Sequence, residues 1–265
     1  MHADYSGALL DIRQGIAKWP MWSRLAWSDV KGQYRRTFLG PFWTTLSLGI
    51  MILAMSVVMA RLFNADLQQF LPYLASGMVT WTLISGLVNG GTSVFINTES
   101  LIKSLRFPLT TLVCAAVWRN IIIFAHNLVI FVLVMVFTGI PVTWATLLVF
   151  PAILIYAVNA VWVAILLGIF ASRFRDISPV VVAVLQVVVF VTPIFWNGDQ
   201  IKGNLGRLLT DYNVFHHFVQ IMRSPLLGNA PQLLNWAVVA GVCMVGWCIS
   251  LAMFARYRRR IAYWL

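Results

Sequence analysis

Long runs without a charged residue alternate with short basic segments along most of the chain. A helix crosses a bilayer with about 20 apolar residues at 1.5 Å rise each. Residues 42–60 meet that length and end at Arg61. Residues 67–98 are uncharged, with the membranous part expected over 70–95. Residues 120–172 are also uncharged and far too long for one crossing, and Gly139, Pro141 and Thr143 supply the break. A third span therefore ends near Phe137 and a fourth covers 144–171. The third begins near Leu109 or near Asn120, because Arg119 leaves both open. A fifth runs over 179–195 and a sixth over 233–254, stopped by Arg256 and Arg258–Arg260. The pattern predicts an all-α polytopic membrane protein: a six-span domain over 42–265, preceded by an interface segment over 1–41.

Three segments between or before the spans carry helical patterns of their own. In 1–41, Leu9, Ile12, Ile16 and Trp19 recur at helical spacing, followed by Trp22, Leu25 and Trp27 after Pro20. Interspersed basic residues suit an amphipathic helix lying in the headgroup plane. Such a helix either gates entry from one leaflet or simply anchors the chain. In 97–106, Thr98 and Ser100 flank Glu99, with Leu101, Ile102 and Leu105 as the apolar positions, which predicts a short capped helix that Pro108 ends. A short exposed helix of this kind suits docking to a partner protein.

The loop 196–232 holds the half-apolar stretch 201–209. It also holds a stripe of Val214, Phe218 and Met222, with Phe215 and Val219 beside it. Short re-entrant or interfacial helices are expected there, forming either a lid or an interfacial cap. Phe215, Phe218, Met222 and Arg223 are its candidate gate residues.

Charge sets the orientation. Fourteen Lys and Arg fall before span one, between two and three, between four and five, and after six. Only Arg61, Lys202, Arg207 and Arg223 fall on the other side. The positive-inside rule then predicts both termini in the cytoplasm. The net charge of +11 raises the possibility of a nucleic-acid partner, but cations that flank apolar spans are topological, so no nucleic acid is expected. The remaining composition agrees: 60% of the 265 residues are hydrophobic and 10% charged, against about 25% in a soluble domain. No cleavable leader is evident, and Cys114, Cys243 and Cys248 all lie in apolar runs as packed thiols.

The chemistry is sparse. All eight acidic residues lie outside the apolar spans, which disfavours an ion-coupled carrier with a carboxylate at membrane depth. Lone His126 reads as a packing partner rather than a proton relay. No lysine follows a glycine, so there is no P-loop, and any ATP must be hydrolysed by another chain. No metal-ligand spacing is present, and adjacent His216 and His217 do not share a helical face. Catalytic residues, metal and cofactors are therefore not expected in this chain.

Several stretches, taken in order, resemble ABC-type polysaccharide export permeases. They are WSDVKGQYRRTFLGPFW (27–43), SLRFPL (104–109), SRFRDISPVVVAVLQVVVFVTPIF (172–195) and NVFHHFVQIMRSPLLG (213–228), the last with Val214 where a Pro is usual. The likeness covers nearly the whole chain and is greatest to O-antigen exporters, with capsule and teichoic-acid permeases as alternatives. A membrane-embedded enzyme modifying a lipid-linked glycan is the competing class. The resemblance implies a homodimer in the bacterial inner membrane, paired with a dimer of a separate ATPase subunit that holds ATP and Mg. It implies a polyprenyl-pyrophosphate-linked glycan as cargo, surrounded by membrane lipids.

The resemblance also assigns ATPase coupling to 97–106, through Thr98, Glu99, Ser100, Leu101, Lys103, Leu105 and Arg106, with Phe107 following. Arg35, Arg36 and Arg119 are candidates for the lipid pyrophosphate, because guanidinium pairs bidentately with phosphate. For Arg35 and Arg36 the plain alternative is positive-inside topology. Arg119, about 16 Å into its apolar region, either snorkels, pairs across the dimer or meets cargo. Trp43, Trp81, Trp118 and Trp162 are candidates for an aromatic sugar path, with lipid anchoring or core packing as the alternative for each.

Overall fold

Apolar backbone in lipid must satisfy its own hydrogen bonds, and helix is the local way to do so. The computed structural model describes residues 3–33, 42–105, 107–196 and 204–265, and these are helical with no strand among them. Two short helices come first, α1 (Tyr5–Ala17) and α2 (Trp19–Gln33). Two long helices follow, α3 (Phe42–Leu62) and α4 (Leu67–Ser93), then the six-residue α5 (Glu99–Ser104). Next come α6 (Leu109–Thr138), α7 (Val149–Arg173) and α8 (Ile177–Val191). The chain closes with α9 (Asn204–Thr210), α10 (Val214–Leu226), α11 (Leu233–Tyr257) and α12 (Ile261–Trp264).

Five helical segments are long and apolar enough to cross a membrane: Trp43–Leu62, Leu67–Ser93, Leu109–Thr138, Trp144–Arg173 and Leu233–Trp264. The third resolves the ambiguity at Arg119. Its helix begins at Leu109, directly after Pro108, and Arg119 is its eleventh residue. It ends where Gly139 adopts φ 72°, a left-handed conformation that closes the last turn with Gly139 and Ile140 donating to the Met135 carbonyl. The fifth expected span is shorter than its apolar sequence. α8 has 15 residues, about 22 Å of helix, and stops at Thr192 before Pro193.

α4 is the axis of the bundle, packed against α3, α6, α7, α8 and α10. Its small residues permit this. A Cβ on Gly91 would lie 2.8 Å from the Ala164 Cα of α7, so the two backbones touch there. Side-chain amides and hydroxyls bridge the spans: Thr45 Oγ1 donates to Asn127 Oδ1 at 3.2 Å, and Asn127 Nδ2 donates to Thr82 Oγ1 at 3.4 Å. The largest apolar cluster surrounds α4 with Leu74, Leu83, Phe124 and Ile221. A second cluster, including Ala8, Phe95, Ile165, Phe254 and Ile261, closes the end of the bundle where α1, α5 and α12 meet.

The segment expected to hold an amphipathic helix folds as two helices, and the buried stripe of the first is not the apolar one. Leu9, Ile16 and Trp19 are half-exposed or more, while Ala8, Asp11 and Gly15 are buried. The apolar side is turned away from the bundle, as suits a helix lying in an interface. The small side allows close packing: a Cβ on Gly15 would sit 2.6 Å from the Thr110 Cβ of α6.

Candidate functional site

Three features gather at the α5 end of the bundle. The first is α5 itself, exposed over Lys103, Ser104 and Leu105 and held from behind by Leu101, Ile102 and the following Phe107 in the second cluster. Its own ion pair, Lys103 Nζ to Glu99 Oε1 at 2.6 Å, spans one turn. That hydrogen bond, with the attraction of Lys103 and a lesser one from Arg175, holds the Glu99 carboxyl below its usual range. The expected cap is absent. The Thr98 hydroxyl donates back to the Val94 carbonyl at 2.6 Å instead of accepting from α5. The helix is also shorter than the expected 97–106, and Arg106 lies outside the described residues.

The second feature is a cavity of about 830 Å³ between α2, α4 and α6. Its lining is unusually polar for a membrane bundle, with Asn89, Ser93, Asn97, Arg119 and Asn120 facing Asp29 of α2. Gly86 and Gly90 open it, since a Cβ on either would lie within 2.8 Å of the Asn120 amide. Asn120 Nδ2 donates to the Ala116 carbonyl of its own helix, and buried Asn89 Oδ1 has no hydrogen-bond partner among the described residues. Arg119 is the cation of the cavity, its side chain 27% exposed. Its Nη1 is 4.0 Å from Asp29 Oδ2, at the outer limit of an ion pair. Beside it, Trp118 meets Trp22 of α2 edge-to-face at 5.9 Å. Ser100 and Leu101 of α5 line the same cavity, which joins the exposed helix to the polar space.

The third feature is a polar joint. Asp11 of α1, 8% exposed, accepts from the Leu109 amide at 3.2 Å, the Thr110 amide at 3.0 Å and the Thr110 hydroxyl at 2.8 Å. These are first-turn groups of α6, which otherwise have no partner in their own helix.

The opposite end is built around α10. Phe215 packs on Trp81 of α4 at 5.9 Å, and Phe218 on Tyr156 of α7 at 5.6 Å, while Tyr156 donates to the Phe218 carbonyl at 2.6 Å. Met222 and Arg223 are fully buried. Arg223 Nη1 donates to the Pro193 carbonyl just past the end of α8, and Asn213, which caps α10, donates from Nδ2 to Thr192 Oγ1. Thr143 Oγ1 donates to the Gly228 carbonyl, joining this end to the α6–α7 turn. So α10 is wedged into the bundle rather than resting on its surface.

The tryptophans do not converge within one chain. Trp81 is buried against Phe215, and Trp162 donates to Asn159 Oδ1 beside Gly246. Trp118 belongs with Trp22, and Trp43 is exposed on α3. Trp162, Phe215 and Phe218 do share a second, apolar cavity of about 330 Å³ between α4, α7, α10 and α11. Arg35 and Arg36 lie outside the described residues. His126 Nδ1 is 2.7 Å from the Ile122 carbonyl of its own helix, a packing contact. Asn89 is one of the few amides within the apolar spans, whereas the pattern does not distinguish Asp11 and Asp29 from the other acidic residues. The one available signal was Asp11 on a stripe of small residues, Ala8 and Gly15.

A helical membrane bundle with a short displayed helix between its second and third long helices, and no nucleotide motif of its own, has the form of the membrane subunit of a transporter. The chain belongs to the ABC-2 type transporter family, which residues 22–227 match. It is similar to the O-antigen export system permease protein RfbA of Myxococcus xanthus. The two are 25% identical over 181 residues, covering 68% of this chain and 70% of that protein.

Proposed function

We propose that this chain is the membrane subunit of an ATP-driven exporter that carries a lipid-linked polysaccharide, of the O-antigen kind, across the bacterial inner membrane. The observation that carries the reading is the polar cavity with Arg119 opening beside α5, deep in an otherwise apolar span. A permanent cation there has a use if an anionic headgroup must be taken out of the leaflet, and a diphosphate fits a guanidinium ringed by amides. The distance to Asp29 leaves the pair easy to exchange for a phosphate. Arg35 and Arg36, two residues past the described end of α2, are in this reading further candidates for the diphosphate on the strength of the sequence alone.

In this reading the α5 end is cytoplasmic, consistent with the excess of Lys and Arg there. α5 is the surface on which the ATPase subunit acts, with Glu99, Lys103 and Leu105 presented and Leu101 and Phe107 as its root. Six crossings are counted by including α8. Its 22 Å fall short of the roughly 30 Å hydrocarbon core, and α10, entering from the periplasmic side, fills the remaining depth. Phe215, Phe218, Met222 and Arg223 then form the outer gate. The valines and Phe190 that α8 exposes, with the exposed side of α3 including Trp43, supply the face for a second copy of the chain.

The test is co-expression with the ABC ATPase and reconstitution in vesicles holding polyprenyl-diphosphate glycan. Wild type should bind the lipid and move it only with ATP, and Arg119→Ala should lose binding by about tenfold or more, the scale of one buried charge-assisted contact. Undiminished lipid binding in that variant would remove the role assigned to the cavity.

A further inference from the structure

The energy input at α5 must reach the rest of the bundle, and α5 has few direct attachments to it. It meets α12 from behind and continues through 105–108 into α6. The N-terminal turn of α6 is therefore one place where displacement of α5 is received directly, beside the 94–98 link to α4 and the contact with α12. Pro108 supplies no side-chain cap there. The capping group comes from 98 residues away, the carboxylate of Asp11, which holds two amides and one hydroxyl of α6 together. An anion at this position also meets the positive end of a 30-residue helix.

Asp11 is not only a cap. Arg258 Nη1, at the end of α11, lies 3.6 Å from Asp11 Oδ2 and donates to the Gly7 carbonyl of α1. Two turns earlier, at the N-cap of α1, Asp4 pairs with Arg258 at 3.3 Å and Arg259 at 2.9 Å, and the Asp4 amide donates to the Ala255 carbonyl at 3.0 Å. α1 is thus tied by charge at one end to α11 and at the other to the first turn of α6. The close fit of Gly15 on Thr110 leaves no slack between them. Because α2 follows α1 after Lys18 and lines the Arg119 cavity through Leu25, Ser28 and Asp29, whatever moves α1 also moves a wall of that cavity.

We propose that Asp11 is a positioning residue of the transport cycle: it makes α1 move with the α5–α6 junction, so that engagement of the ATPase at α5 resets the α2 wall of the cavity. Arg258 carries the same displacement to α11. This rests on α5 being the coupling surface, and the two ideas separate experimentally.

The experiment uses the full chain with its ATPase in vesicles, comparing Asp11→Ala, Asp11→Asn, Arg258→Gln and Glu99→Arg. ATP hydrolysis and glycan exported per ATP are measured together. Spin labels at Arg13 and Ser104, both exposed, report the α1–α5 distance without nucleotide and after vanadate trapping. In wild type that distance should stay narrow in both states. In Asp11→Ala it should broaden, the ATPase should still co-purify and turn over, and export per ATP should fall about tenfold, within the usual range of coupling energies. Asp11→Asn keeps an acceptor for Thr110 and should recover most of the export. Arg258→Gln leaves the cap in place and should give a smaller loss, which serves if Asp11→Ala does not fold. A narrow distance and normal export per ATP in Asp11→Ala overturn the proposal. Normal ATPase binding and export in Glu99→Arg instead overturn the coupling role of α5, and the proposal with it.

Discussion

The guanidinium of Arg223 lies over the ring of Tyr73, its Cζ 4.0 Å from the centroid, with α4 and α10 brought into register by that contact. Both side chains serve the same break in the chain. The Tyr73 hydroxyl lies 3.0 Å from the Trp196 carbonyl and 3.3 Å from that of Pro193, and Arg223 donates to Pro193 at 2.7 Å. The end of α8 leaves carbonyls without helix partners, and in lipid each must be met by protein. A cation suits the C-terminal end of a helix for the same reason.

Gly77 is the third member of that joint. A Cβ there would fall 2.1 Å from Arg223 Nη2 and 3.3 Å from Ile194 Cγ2, so the buried arginine would have to shift against its bond to the Pro193 carbonyl. Gly77→Ala is expected to cost about 1–3 kcal/mol as overpacking. The cost should shrink in an Arg223→Lys background, because residues in contact do not add. Tyr73→Phe should cost about 1 kcal/mol for the lost hydrogen bond. Thermal unfolding in micelles measures all three, and additivity of the first pair would contradict the contact.

Exchange of the Asp29 carboxylate for a phosphate at Arg119 gives a directional prediction. Asp29→Asn should leave the fold unchanged, since the Asp29 carboxylate is itself exposed and, at 4.0 Å, only at the outer limit of an ion pair with the partly buried Arg119. It should tighten inorganic diphosphate or polyprenyl-diphosphate binding, because the cation loses its competitor. Titration of purified protein with either anion checks it, and weaker binding would reverse the assignment.

Acid should loosen α1 only at low pH. The Asp4 carboxyl is held below its ordinary 3.8, chiefly by the Gly7 amide, then by the Ser6 hydroxyl, Arg259 and Arg258. A depressed carboxyl contributes fully above its unfolded value and is lost as pH falls through the folded one. Amide protection factors in α1, corrected for the intrinsic pH dependence of exchange, should therefore be flat from neutral pH to about pH 5 and fall only below about pH 4. A transition near pH 6 would point to another group.

Orientation is tested by labelling. Single cysteines at Lys103 and Tyr263 should react with a membrane-impermeant maleimide only from the cytoplasm, and at Val142 or Tyr212 only from the periplasm. All four sites are exposed. The same side for Lys103 and Tyr212 would break the six-crossing count, because it requires α8 to return rather than cross.

Much of this molecule was readable from the order of its residues. Apolar runs and their length determined the spans, since a bilayer accepts only internally bonded backbone, and Gly139 marked the turn between two of them. The short helix at Glu99 followed from local periodicity. What the tertiary structure decided was every relationship made at a distance. It set Asp11 on Leu109 and Thr110 in the first turn of α6, across 98 and 99 residues of sequence. It set Arg223 on Tyr73 and turned the small face of α1, rather than its apolar face, toward the bundle. It also ended α8 at Val191, short of its apolar run, and brought Asn213 and Arg223 of α10 to that end. Local sequence fixes which backbone can lie in lipid. Which buried polar group meets which orphaned donor or carbonyl depends on helices brought together only by packing.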